Sequence, residues 1–248
     1  MRHYEAPADL LKDRVILVTG ASTGVGAAVA EACASHGATV ILLARRVKWL
    51  EKVYDRIVAA GNPEPAIMPM DLATAGEQEF NHAASVIERQ LKRLDGIVHC
   101  AALDDSLSPM EVDTVDNYTK RLRVNVVAPF GLTKACLPLL KAAEDASIVV
   151  TSESHAAHPA AYWNGLSSTR AAMEHAALGW SDEWSRFDNL RVNILVPGVI
   201  NSPFRSRTHP GEFKDNLPKP ESLVSDYLFL LGPDGKQTRG QRIVVHEG

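Results

Sequence analysis

The chain has 248 residues, of which 46% are hydrophobic, and its formal net charge is −4 at pH 7. These values suit one large α/β domain with a sizeable core, and the slight negative balance argues against nucleic acid as a partner. The three cysteines, Cys33, Cys100 and Cys136, fit neither a disulfide framework nor a paired set of zinc ligands. We therefore expect no metal site and a reducing, cytoplasmic setting. Residues 1–7 lack the apolar core of a signal peptide, and no run approaches about 18 apolar residues, so no membrane partner is expected.

Short apolar runs alternate with helical patterns along most of the chain. The runs that predict strands lie at 15–19, 38–43, 65–69, 96–99, 146–151, 189–195 and 241–245. The helical patterns lie at about 23–36, 47–60, 75–93, 112–143 and 161–187. Such alternation predicts a Rossmann-type doubly wound parallel sheet of about seven strands, with helices on both faces, as a single domain over 1–248.

The first predicted strand runs directly into a glycine-rich turn. Gly20, Gly24 and Gly26 follow the apolar run at 15–19, and an alanine-rich helical pattern begins at Ala27. Glycines at such a junction let the backbone approach a pyrophosphate, and the helix offers unpaired N–H groups and its positive dipole end to the anion. This order predicts a dinucleotide site, with an ordinary strand–helix turn as the alternative.

The pattern Thr-Gly-x-x-x-Gly-x-Gly over residues 19–26 resembles the fingerprint of the short-chain dehydrogenase/reductase family. The resemblance covers nearly the whole chain, from about residue 10 to 248, and the stretch at 9–20 (DLLKDRVILVTG) is similar in particular to the bacterial YciK-type oxidoreductases of that family. It implies an oxidoreductase that acts on a carbonyl or alcohol with a nicotinamide cofactor. The turn residues that would contact this cofactor are Gly20, Ser22, Thr23, Gly24, Val25 and Gly26.

Two arginines stand at the end of the second predicted strand, where an acidic residue would favour NAD by binding the ribose hydroxyls. Arg45 and Arg46 instead offer planar cations to a 2′-phosphate, and the family position of Ser22 often helps to hold the same phosphate. We therefore expect NADP rather than NAD. The alternative is that both arginines are solvated residues that open a helix.

Further family positions fall near the ends of the third and fourth predicted strands. Asp71 and Leu72 match residues that meet the adenine, with a helix cap as the alternative role of Asp71. Cys100, Ala101 and Ala102 stand where the family usually has Asn-Ala-Gly, and the methyl group of Ala102 could crowd the cofactor. A small buried hydrophobe is the ordinary role for Cys100, and a reactive thiol is the alternative.

The segment after the sixth predicted strand resembles the family pattern Pro-Gly-x-x-x-Thr. The residues that would face the nicotinamide end are Pro197, Gly198, Ile200 and Ser202. The region at about 199–220 is irregular and rich in proline, and in the family this position is a mobile substrate lid. The resemblance also implies a homodimer or homotetramer through the helices at 112–143 and 161–187.

The proton-transfer positions of the family are substituted in this chain. The family's Ser, Tyr and Lys positions are Glu153, Leu166 and Arg170. Tyr and Lys four residues apart share a helix face, where the ammonium lowers the phenol pKa, and the phenol exchanges a proton with the substrate oxygen while hydride moves. Leucine has no proton to give, so the standard mechanism is lost. Asn125 is retained, either to hold a relay water or to stabilise a helix bulge.

Several residues remain as replacement candidates. Arg170 can still bind the nicotinamide ribose, or it can pair with Glu153 in a structural ion pair. Glu153 can act as a general acid if burial raises its pKa. Tyr162 lies one turn before Leu166, on the same face if the helix already begins there. Side chains that follow the fifth predicted strand could line the pocket, namely Ser152, Ser154, His155 and His158.

Three functions are compatible with this pattern. The first is an NADP-dependent oxidoreductase with rearranged acid–base residues, and the second is a catalytically inactive NADP-binding sensor or partner subunit. The third is a structural subunit without a cofactor, which Ala102 would favour. The sequence does not name a substrate.

Overall fold

A parallel sheet built from the apolar runs forms the centre of the molecule. The structure, a computed structural model, describes residues 4–103 and 107–246, and all seven predicted strands are present in those ranges. They are β1 (Val15–Thr19), β2 (Thr39–Ala44), β3 (Ala66–Pro69), β4 (Gly96–His99), β5 (Ala146–Thr151), β6 (Leu190–Val196) and β7 (Arg242–Val244). Every pair is parallel, in the order β3-β2-β1-β4-β5-β6-β7. The predicted doubly wound sheet is confirmed.

Helices cover both faces of this sheet. They are α1 (Gly24–Ser35), α2 (Val47–Ala59), α3 (Glu77–Leu91), α4 (Val115–Leu122), α5 (Ala128–Ala142), α6 (Asn164–Glu183), α7 (Pro203–Thr208) and α8 (Val224–Leu231). Successive strand residues point to opposite faces, so Leu17 packs with the residues of α3, α5 and α6, whereas Ile16 packs with those of α1, α2 and α8. Every residue of β1, β4, β5 and β6 is buried, as expected for central strands covered on both sides.

The helix predicted at 112–143 is interrupted in the structure. It begins only at Val115, because the hydroxyl of Thr114 accepts a hydrogen bond from the amide of Asn117 (3.1 Å) and caps the helix there. A π turn over Arg123–Val127 then separates α4 from α5. Pro129 lies in the first turn of α5 and has no N–H to continue the α-helical ladder. The turn encloses Asn125, which is 1% exposed.

The helix predicted at 161–187 is shorter at both ends, and α8 was not predicted at all. Tyr162 precedes α6 and has a left-handed backbone (φ 71°), so the expectation that it shares a helix face with Leu166 is wrong. The sequence of α8 is apolar on nearly every side because it packs against the sheet, which removes the amphipathic period. No helix in the described ranges is long and apolar enough to cross a membrane.

Candidate functional site

A cavity opens at the carboxyl ends of the strands, where the strand order reverses between β1 and β4. Its volume is about 480 Å³, and ligands of doubly wound sheets bind at such a switch point. Every residue that the sequence assigned to the cofactor lines it, namely Gly20, Ser22, Thr23, Gly24, Val25, Gly26, Arg45, Arg46, Asp71, Leu72, Cys100, Ala101, Ala102, Arg170, Pro197, Gly198, Ile200 and Ser202. Of the catalytic candidates, Ser152, Glu153 and Arg170 line the cavity, whereas Asn125 and Tyr162 do not.

The glycine turn packs against neighbouring backbone too closely to admit side chains. Gly20 has a φ of 68°, and a Cβ on it would lie 2.8 Å from the backbone of Ala101. A Cβ on Gly26 would collide with the carbonyl of Gly20. The side chain of Thr23 makes no capping hydrogen bond to α1, and the first turn of α1 holds no acidic residue. The first N–H groups of α1 thus lack a capping side chain, which is the arrangement that binds anions.

The end of β2 presents positive charge to the same cavity. Arg45 and Arg46 are both exposed and open α2. The guanidinium of Arg46 lies 5.6 Å from the ring centroid of Trp49, a cation–π contact that helps to hold the side chain in place. Asp71 caps its own turn, since Oδ1 accepts a hydrogen bond from the amide of Ala73 (3.0 Å), and it lines the cavity as well.

Cys100 belongs to a hydrogen-bonded chain that runs from the cavity into the core. Its Sγ lies 3.1 Å from Oγ1 of Thr151, which lies 2.7 Å from the hydroxyl of Tyr227. Burial raises the pKa of the Cys100 thiol to about 11, although the contact with Thr151 lowers it slightly. The thiol is therefore protonated near neutral pH. This favours the ordinary role of Cys100 as a small hydrophobe over that of a reactive thiol, since the thiolate is the nucleophile.

The substituted catalytic positions come together around the end of β5. Leu166 is 3% exposed on α6, and Arg170 lies one turn later, where its Nη1 donates to the carbonyl of Thr151 (3.0 Å). Glu153 caps the short turn that follows β5, because Oε2 accepts a hydrogen bond from the amide of His155 (2.7 Å). The backbone carbonyl of Glu153 accepts from Arg242 of β7 (3.4 Å). The cavity thus holds a cation and a carboxylate, but no phenol, at this end.

Asn125 has a bracing position in the π turn. Its Oδ1 accepts from the amide of Leu103 (2.8 Å), and its Nδ2 donates to Oγ1 of Thr169 (3.0 Å). One side chain thereby joins the loop after β4 to α6. Of the two roles predicted, the contacts support stabilisation of the bulge.

Tyr162 lies outside the cavity, with 59% of the residue exposed. The neighbouring Trp163 turns inward instead: it is 7% exposed and packs on His155 (ring centroids 4.0 Å apart) and on Phe204 (5.9 Å). The left-handed backbone at Tyr162 directs the two aromatic side chains in different directions. Tyr162 therefore lacks the position that a general acid needs, and the prediction of a catalytic role is corrected.

The segment predicted as a lid contains α7, which the sequence did not reveal. Oγ of Ser202 caps it by accepting from the amide of Arg205 (3.1 Å), and Arg205 pairs with Glu212 (2.6 Å). Phe204 and Arg207 line the cavity from this helix, and Lys120 lines it from α4. The only sequence signal for these residues is helical spacing. Such spacing is hard to see in a helix as short as α7.

Comparisons with known proteins agree with this geometry. The family model described as short chain dehydrogenase matches residues 14–212. The uncharacterized oxidoreductase YciK of Escherichia coli is 35% identical over 246 residues, which span 99% of this chain and 97% of that protein. A Pseudomonas syringae structure has a TM-score of 0.95 at 39% identity and 98% coverage of both chains. A Shigella flexneri protein crystallised with NADP has a TM-score of 0.93 at 34% identity, with 96% of this chain and 99% of that chain covered.

Proposed function

The chain belongs to the short chain dehydrogenase family, and we propose that it is an NADP-dependent oxidoreductase that acts on a carbonyl or alcohol with a rearranged proton-transfer site. One observation carries this proposal: the residues assigned to the cofactor from separate parts of the sequence all line one cavity. The NADP-bound Shigella relative supports the choice of cofactor.

The cavity suits NADP in shape and charge. The glycine turn, in which a Cβ on Gly20 would clash with the backbone of Ala101, and the N–H groups of α1 would take the diphosphate. Arg45 and Arg46 would take the 2′-phosphate, and Asp71 would meet the adenine. Ile200 and its neighbours would hold the nicotinamide, which supplies or accepts the hydride when bound.

Proton transfer must differ from the family mechanism, because Leu166 carries no acidic hydrogen. Arg170 stays protonated in proteins, so it would act as a fixed cation that stabilises negative charge on the substrate oxygen. Glu153 is an ionisable group at the same end of the cavity, and we assign the proton exchange to it.

The cofactor assignment is tested by removing the charges at the end of β2. Arg45→Gln and Arg46→Gln should each weaken NADPH binding by about tenfold, the scale of a lost charge-assisted hydrogen bond, and leave NADH binding unchanged. Lys48→Gln is the matched control, since Lys48 is exposed in α2, which follows the two arginines directly, and lies outside the cavity lining. Equal losses for NADPH and NADH would contradict a 2′-phosphate site.

A second candidate is a catalytically inactive NADP-binding sensor or partner subunit, which buried Leu166 at the tyrosine position favours. Turnover assays on a panel of carbonyl substrates, with NADPH as the reductant, separate the two candidates. The enzyme is supported if Glu153→Gln lowers turnover about a hundredfold while its affinity for NADPH is unchanged. Ser154→Ala, the control, should keep the turnover of the wild type. NADPH binding without turnover on any substrate supports the sensor.

The predicted Glu153–Arg170 ion pair needs its own measurement. A double-mutant cycle on unfolding, with Glu153→Gln and Arg170→Gln, should give a coupling energy of about 1 kcal/mol or more if the pair is structural. If the stability losses of the two single variants add up to that of the double variant, the ion pair is not structural. Both side chains would then be available to contact the substrate.

A further inference from the structure

Helix α7 brings a cation from the lid to the cavity. Pro203, Phe204 and Arg207 all line it, and their spacing places them on one side of the helix. Arg205 differs, because it points to Glu212 and forms a bidentate pair there (2.6 and 2.8 Å). Among the described lid residues, Arg207 is thus the cation that lines the cavity.

The start of α7 rests on the glycine turn. A Cβ built on Gly24 would lie 3.4 Å from Cδ of Pro203, which is ordinary van der Waals contact. Gly24 is the first residue of α1, the helix whose N–H groups are assigned to the diphosphate. Arg207 follows Pro203 by about one turn, roughly 6 Å along the axis, so its long side chain starts within reach of that helix end.

Three contacts brace the lid in this position. The ring of Phe204 meets Trp163 edge-to-face (5.9 Å), and the amide of Asn201 donates to the carbonyl of Pro218 (2.8 Å). With the Ser202 cap, these contacts fix α7 as a folded element. Arg207 is therefore presented to the cavity from a defined helix, whose start lies beside the N-terminus of α1.

We propose that Arg207 is a further cofactor-binding residue, which bonds the diphosphate of the dinucleotide from the lid. The diphosphate would then be held by both the N–H groups of α1 and the guanidinium, and its charge would keep α7 in place against the glycine turn. Arginine suits this task because its planar donors match phosphate oxygens. The inference rests on the proposed function, since it requires a dinucleotide in the cavity.

The test compares Arg207→Gln with Lys219→Gln, which removes an exposed charge from the same segment outside the cavity lining. Arg207→Gln should weaken NADPH binding by about tenfold, and Arg207→Lys should recover part of the loss. NADPH should protect residues 203–217 of the wild type from proteolysis, and Arg207→Gln should lose this protection. Adenosine 2′-monophosphate, which has no diphosphate, should bind the wild type and Arg207→Gln equally.

The outcomes separate this inference from the proposed function. Wild-type binding of NADPH, with the same affinity and lid protection in Arg207→Gln, would overturn the role of Arg207 alone. An equal loss of adenosine 2′-monophosphate affinity would also overturn it, since Arg207 would then contact the 2′-phosphate. Failure of the wild type to bind NADPH would overturn both proposals. Melting temperatures of Arg207→Gln and Lys219→Gln are measured alongside, so that a loss of folding is told apart from a loss of binding.

Discussion

His99 and Cys100, adjacent at the end of β4, are both held uncharged by burial. Burial lowers the pKa of His99 to about 3 and raises that of Cys100 to about 11. Nε2 of His99 lies 2.8 Å from Oγ1 of Thr133, a residue of α5. This neutral imidazole thus ties the end of the strand to the helix that covers it.

The neutral imidazole makes stability depend on pH. Below about pH 6.5 the unfolded chain takes up a proton at His99 that the folded chain excludes, so the free energy of unfolding falls by about 1.4 kcal/mol per pH unit toward pH 3. His99→Gln removes this dependence. Between pH 7 and pH 5 the wild type should lose about 2 kcal/mol more than the variant in urea unfolding. His175→Gln, at an exposed site, should behave as the wild type, and equal pH slopes for all three would refute the assignment.

Tyr162 provides a test of the corrected catalytic site. Because its side chain is exposed outside the cavity lining, Tyr162→Phe should leave NADPH affinity and any NADPH-dependent turnover unchanged. Steady-state rates and a binding titration measure both quantities. A fall in turnover of about a hundredfold, typical of a lost general acid, would reinstate Tyr162.

The sequence predicted some site residues and missed others for a physical reason. Arg45 and Arg46 follow a strand whose end is fixed by an apolar run, so their place at the cavity could be predicted. Phe204 and Arg207 reach the cavity only through the folding of α7. That folding depends on the contact of Phe204 with Trp163, far earlier in the chain, and on a pair with Glu212 beyond the end of the helix. Such contacts leave no local pattern.

The π turn between α4 and α5 is the element that most depends on a single side chain. Asn125 bonds both Leu103 and Thr169, so it joins two segments that are distant in sequence. Asn125→Ala should lower the free energy of unfolding by about 2 kcal/mol, because the half-buried amide of Leu103 loses its acceptor and the buried hydroxyl of Thr169 loses its donor. Chemical denaturation measures this loss. Asn117→Ala, at an exposed position of α4, should cost far less, and a similar cost for both would contradict the bracing role.

Elements differ in how far the sequence predicts them. The strands were predicted to within one or two residues, since buried parallel strands form short β-branched runs. The π turn and the late start of α4 were missed, because side-chain caps and bulges interrupt a helical period without erasing it. In α8 nearly every side of the helix is buried and apolar, so its sequence lacks the alternation of apolar and polar residues that predicts a helix.

An ion network joins the amino ends of three strands on the side of the sheet away from the cavity. Asp145 pairs with Arg14 (3.0 Å) next to β1 and with Arg191 in β6. Burial lowers the pKa of Arg191, and the charge of Asp145 opposes this shift. A chain of charges thereby spans β1, β5 and β6, which are not all neighbours in the sheet.

Removal of the shared carboxylate should destabilise the whole molecule. Asp145→Asn leaves two largely buried guanidinium groups without their counter-charge, at a cost of about 3 kcal/mol. Urea unfolding measures the loss, with the exposed Asp182→Asn as the control. A cost below that of the control would mean that the network contributes nothing to stability.

The sheet of the molecule followed from the sequence, whereas the assembly did not. Seven alternating runs were enough for the sheet, because parallel strands require helical crossovers. The predicted homodimer or homotetramer stays a prediction. Phe130 on α5 and Leu178 on α6 are exposed, as a contact through these helices would need, but one chain does not contain the partner surface.

A calorimetric titration of the purified protein with NADPH, with NADH in parallel, decides whether the cavity is a dinucleotide site. We expect saturable NADPH binding at one site per chain and binding of NADH at least about tenfold weaker, because Arg45 and Arg46 meet a phosphate that NADH lacks. No binding of either nucleotide would contradict the proposed function and leave the chain as a family fold without its cofactor.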